Sequence, residues 1–113
     1  MTARGFQDEA KKNGAPWFLA KSFDTSCPVS SFINKDQIPN PHDVELFCRI
    51  NGKVQQEIKT NSMLSNVEAL IAYITKYAIL ERGDIIVTGT LSGVGRVKSG
   101  DSIQFGLTEI KVE

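Results

Sequence analysis

Apolar residues recur along this chain at two periods, and each period predicts its own element. Val67, Leu70, Ile71, Ile74 and Ala78 stand at i, i+3, i+4, i+7 and i+11, the stripe of an amphipathic helix. Ser65 and Glu68 form a capping box ahead of it, and Gly83 is its stop, so a helix is predicted from about Asn66 to Arg82. Val44, Leu46, Cys48 and Ile50 instead alternate with Glu45, Phe47 and Arg49, which predicts a strand with the first set inward. Asn51-Gly52 then signals a tight hairpin, and the more polar Lys53 to Lys59 is the returning strand. Ile85, Ile86 and Val87 run without a polar break, as in a strand covered on both faces, and the helical stripe is expected to pack on it.

The rest of the chain is read from its punctuation. Thr2 to Asn13 predicts a helix capped by Thr2, with Phe6 and Ala10 as its apolar stripe. Lys11 and Lys12 sit in its last turn, where the dipole favours cations, and Gly14 and Pro16 end it. Trp17 to Ala20 is expected to be a short buried extended piece that delivers Lys21 at its end. Pro28 to Pro41 reads as an irregular loop. Ser102 to Phe105 and Glu109 to Val112 are predicted short strands. Gly-Asp precedes Ile85 and Ser102 at a separation of 17 residues, which points to shared turn chemistry. The class is α+β with a mixed, largely antiparallel sheet.

Composition narrows the function classes. A chain of 113 residues is one domain by length and can bury a core. Thirteen basic residues balance 13 acidic ones, which argues against bulk attraction to nucleic acid or an anionic membrane. No apolar run approaches the roughly 20 residues needed to span a bilayer. Cys27 and Cys48 are too few and too separated for a disulfide framework or a thiolate metal site, so both are expected to be free thiols.

Candidate chemistry gathers at the ends of apolar segments. After Val87 the chain opens into Thr88, Gly89 and Thr90, with Gly93 and Gly95 following Gly89 at spacings of four and two. Small polar residues and bare amides there suit either a floor for a small anion or a tight structural turn. The spacing matches neither the dinucleotide nor the P-loop fingerprint. Arg4 and Gln7 are one helical turn apart on the same face. With Lys21 and Thr90 they could serve a keto acid, because Arg forks a carboxylate and Lys supplies a point charge. The single histidine, His42, lies in a loop beside Pro41 and is expected to be solvated. No Glu-x-Glu or His-x-x-His spacing appears, so no complete metal site is encoded.

The motifs MTARGFQDEAKKNGAPWFLAKSFDTSCPVS, PNPH, the NGK hairpin, KTNSM and GDIIVTGTLSGVG occur in that order over nearly the whole chain. Together they resemble the C-terminal part of the fumarylacetoacetate hydrolase family. The similar branch holds small proteins that act as acylpyruvases, oxaloacetate decarboxylases or oxaloacetate tautomerases. The resemblance implies a largely antiparallel β-roll, incomplete here, with residues 1–113 as part of the catalytic domain. It implies a homodimer, Mg2+ or Mn2+ at the intact site, and small α-keto acid substrates such as oxaloacetate or an acylpyruvate, with oxalate as an inhibitor. The compartment would be mitochondrial or cytoplasmic, and neither nucleic acid nor membrane would be a partner.

Residue by residue, Arg4 and Gln7 match the T-A-R-x-x-Q positions that contact substrate carboxylate and carbonyl. Lys21 matches the L-A-K lysine, whose catalytic role is to polarise the substrate and stabilise the enolate. Thr90 matches the second threonine of T-G-T, a further ligand contact. In the resemblance's terms the metal carboxylates, a Glu-x-Glu pair and an Asp just before Met-Thr-Ala-Arg, fall outside this sequence, as does the acid/base lid. Leu91 and Gly5 depart from the pattern, where proline and Asp or Asn are usual, and Arg96 stands where proline is common. Tight binding of a metal by this chain alone is therefore not expected. The alternative to an enzyme is an inactive truncated paralogue that serves as a binding or dimerisation module.

Overall fold

Asn51 and Gly52 both take positive φ, 52° and 76°, which is what a two-residue primed turn demands of its centre. In the computed structural model, which describes residues 1–108, this turn joins β1 (Glu45–Ile50) to β2 (Lys53–Lys59). A third strand, β3 (Ile103–Leu107), pairs with the other side of β1, so the sheet order is β2-β1-β3 and both ladders are antiparallel. The α+β class is thus present. The expected strand at 109–112 lies outside the described residues.

The chain divides into two compact units, Met1–Ser31 and a second from Phe32 onward. In the first, α1 (Arg4–Lys12) is followed by a single helical turn, α2 (Phe18–Lys21). Thr2 does not cap α1. Ala3 holds the cap position without a side-chain bond, and the Thr2 hydroxyl is engaged by Lys21 instead. The stripe expected of Phe6 and Ala10 also fails, for Phe6 is exposed and Gln7 is the buried residue of the helix. Residues 17–20 are helical rather than extended, and only Ala20 is buried while Trp17, Phe18 and Leu19 are exposed. A run of four apolar residues does not carry its own period, so length and pattern could not separate a helical turn from a strand.

In the second unit, α3 (Val67–Ile74) is eight residues long, half of what the stripe predicts. Asn66 caps it, its side chain accepting from Ala69 N at 2.8 Å, so the Ser65 capping box does not form. Beyond Ile74 the ladder becomes irregular, with i→i−3 bonds from Lys76 N to Tyr73 O and Tyr77 N to Ile74 O, and the Thr75 hydroxyl donates back to Ile71 O at 2.9 Å. Such back-bonding by a β-branched residue competes with helix continuation. No residue of α3 is buried, so Leu70→Ala is expected to cost less than the ~2–5 kcal/mol of a buried leucine, with a correspondingly small shift in urea midpoint.

Ile85–Val87 forms no strand, and Ile85 and Val87 are 66% and 74% exposed. The helical stripe therefore does not pack on a strand there. The Gly-Asp turns do share chemistry. Gly83 and Gly100 take φ of 102° and 89°, and Asp84 and Asp101 each accept from a backbone N–H three residues back. Asp101 also accepts from the Asn51 amide at 2.9 Å. That bond and the Lys98 N–H hold its carboxyl below the usual range.

Among the described residues the buried apolar ones are few: Ala20 in the first unit, Val44 and Phe47 in the second. Val44, assigned inward, is buried as expected, but Phe47, assigned outward, is buried too, and Leu46, assigned inward, is exposed. The Arg49 guanidinium lies 4.5 Å from the Phe47 ring centre, two residues along on the same face, so its aliphatic stem and its charge both cover the ring.

Candidate functional site

The first unit brings three of the four candidate residues to one end of its helix pair. Ala3 N donates to Ala20 O at 3.0 Å, which ties the start of α1 to the end of α2. Arg4 and Lys21 are the next residues after each partner in that bond. Arg4 Nη1 donates to Gln7 Oε1 at 3.2 Å, an i, i+3 contact on one helix face. Gln7 is 5% exposed, so its side chain is a fixed support for the guanidinium. Lys21 Nζ donates to Thr2 Oγ1 at 2.7 Å, which uses one of its three N–H groups. The α-amino group of Met1 donates to Ser26 O, and Ser26 is buried.

Thr90 belongs to the second unit and is exposed. Its hydroxyl accepts from Gln56 Nε2 at 3.1 Å. The same nitrogen reaches Leu91 O at 2.9 Å and Ser92 O at 3.0 Å, and Gln55 Nε2 donates to Gly93 O at 2.6 Å. Gly89 and Gly93 take φ of 95° and 92°. A Cβ on Gly93 would stand 2.7 Å from Gln55 O, so only glycine admits this approach of the loop to β2.

Sequence reasoning did not find Thr2, Gln55 or Gln56. A polar returning strand gives no signal that two of its side chains hold a loop some 35 residues on. His42, expected to be solvated, places Nε2 3.0 Å from Glu68 Oε1. The backbone N–H of Glu68 in the first turn of α3 holds that carboxyl below its usual range, and His42 adds to the effect.

The residue set matches a known model over residues 1–112, that of the fumarylacetoacetate (FAA) hydrolase C-terminal region. This chain belongs to the fumarylacetoacetate hydrolase family. Within the family, it is 60% identical over 109 residues to a mitochondrial oxaloacetate tautomerase of Caenorhabditis elegans, covering 96% of this chain and 51% of that protein. It is 45% identical over 113 residues to a mitochondrial oxaloacetate decarboxylase of Dictyostelium discoideum, covering 100% of this chain and 52% of that protein. Among solved structures, a family member from Yersinia pestis superposes with a TM-score of 0.91 at 38% identity, covering 96% of this chain and 52% of that one. The fumarylpyruvate hydrolase of Pseudomonas aeruginosa, in complex with Mn2+ and pyruvate, superposes at 0.89 with 27% identity, covering 95% of this chain and 46% of that one. The chain spans about half the length of the curated relatives it matches.

The family member from Pseudomonas carries Mn2+, so the donor set here can be tested for fit. Among the described residues no group of three or more His, Cys, Asp or Glu side chains comes together that could hold a metal ion. These residues by themselves do not fit Mg2+ or Mn2+. Mg2+ is therefore expected to bind this chain no more tightly than about millimolar, since the ion dehydrates reluctantly and demands several well-placed oxygens. A stoichiometric micromolar site found by calorimetry would overturn that expectation.

Proposed function

We propose that this chain carries the keto-acid-binding residues of an enzyme acting on oxaloacetate or an acylpyruvate, as a tautomerase, decarboxylase or hydrolase. In this reading Arg4 forks the substrate carboxylate, while Gln7 holds the guanidinium in plane and contacts the carbonyl. Lys21 donates to the carbonyl oxygen and stabilises the negative charge that grows there as an enolate forms. Thr90, in the second unit, is by itself a hydroxyl that could contact an anion. A roll architecture and homodimeric assembly belong to the same reading, and so does a mitochondrial address, the word that the relatives' names carry.

The observation that supports it is the Ala3–Ala20 backbone bond, because it draws together the backbone segments that carry two cations distant in sequence, Arg4 and Lys21. Ala3 contributes no capping side chain, so nothing on that residue competes with an anion for the first-turn N–H groups of α1. Oxalate, a planar dicarboxylate, is the probe. Titrated into the 113-residue chain, it is expected to give saturable amide shifts at Arg4 and Lys21 in the first unit and, read separately, at Gly89 and Thr90 in the second. A dissociation constant of about millimolar or weaker corresponds to roughly 4 kcal/mol. The absence of any saturable shift at these residues would overturn the proposal.

A further inference from the structure

The loop that carries Thr90 is held from the sheet edge by a defect in the ladder. Cys48 pairs with Gln56, but the next residue of β1, Arg49, pairs with Val54, so Gln55 is an extra residue on β2. β2 is an edge strand, with β1 on one side and no strand on its other among the described residues. Adjacent residues of a regular strand point to opposite faces, yet Gln55 and Gln56 both reach the same loop. A bulge bends and twists its strand, and this one turns consecutive side chains toward one edge.

From this geometry we infer that Gln56 is a positioning residue for Thr90, acting through a clamp on residues 90–92, with the bulge at Gln55 as the feature that aims it. The inference rests on the proposed ligand role of Thr90. Three acceptors, Thr90 Oγ1, Leu91 O and Ser92 O, converge within 3.1 Å on the single Gln56 amide nitrogen. Two of them are carbonyls, which only accept, so the nitrogen and not the oxygen of the amide must face them. By accepting at its oxygen, the Thr90 hydroxyl has its own hydrogen left to donate away from β2. Gln55 adds a second hold at Gly93 O, and the glycine there lets the two backbones close. A one-donor change at Gln56 thus removes every side-chain tie on residues 90–92 that these bonds provide, while the β1–β2 ladder keeps its own backbone bonds.

Gln56→Met tests this, since methionine keeps the length of the side chain and the net charge but cannot donate. In the variant, 15N relaxation is expected to show residues 90–93 moving on the nanosecond scale, with amide shifts of Phe47, Cys48 and Ile58 unchanged. The oxalate affinity read at Thr90 should fall at least fivefold. Loop relaxation identical to wild type would overturn the clamp. A mobile loop with unchanged oxalate affinity would overturn the positioning role and leave only a structural tie. If wild-type protein shows no oxalate shift at Thr90, the ligand reading fails while the relaxation data still decide the clamp. Should Gln56→Met fail to fold, Gly93→Ala drives a methyl against Gln55 O from the loop side, and the same relaxation and affinity changes are required of it.

Discussion

Phe47→Ala is expected to destabilise the strand-bearing unit by about 3–5 kcal/mol, the cost of emptying a buried aromatic site. The ring is 8% exposed on the central strand, with Gly106 across the ladder on one side and Glu57 on the other. Glycine opposite an aromatic leaves room for the ring, so no neighbour of similar bulk stands ready to collapse into the cavity. Arg49 would lose the surface on which its guanidinium rests. The measurement is urea denaturation followed by an amide of the β1–β2 ladder, with Leu46→Ala as comparator. Leu46 is 38% exposed and should cost well under half as much, since a partly solvated leucine forfeits only part of its transfer energy. Equal losses at the two positions, or a larger one at Leu46, would restore the face assignment that simple alternation favours.

The second large effect concerns the anion. Arg4→Ala and Lys21→Ala should each abolish the oxalate-induced shifts, taking a millimolar ligand below detection. Each cation would contribute charge-assisted hydrogen bonds, the strong kind, and a total near 4 kcal/mol does not survive the loss of one. Arg4→Lys is expected to recover little of the binding, because an ammonium lacks the planar fork that meets a carboxylate at two points. The Gln7 side chain would also lose the guanidinium donor it accepts from at 3.2 Å. Unchanged helix content by circular dichroism separates loss of contact from loss of fold. Wild-type oxalate affinity in Arg4→Ala would remove the carboxylate fork from the proposed site, and the family would then describe the chain's descent without its ligand.

Features set within a few residues were legible in the sequence. Asn51-Gly52 dictated its turn because the required positive φ is a property of those residues' own sterics. Both Gly-Asp turns followed from one glycine and one carboxylate that bonds three residues back. The pairing of Arg4 with Gln7 is helical arithmetic. Burial along 44–50 does not follow alternation, for Val44 and Phe47 come from opposite sets and are both buried, and which positions are covered depends on what lies over them, which a strand's own period does not record. Ile85–Val87 has the composition of a strand, yet a strand also needs a hydrogen-bonding neighbour, which the described residues do not provide. The Lys21–Thr2 bond crosses 19 residues and the Gln56–Thr90 bond 34, and each depends on backbone placement at both ends. Periodicity reports local conformational preference, whereas such contacts are selected by the packing of segments whose separation along the chain leaves no local trace.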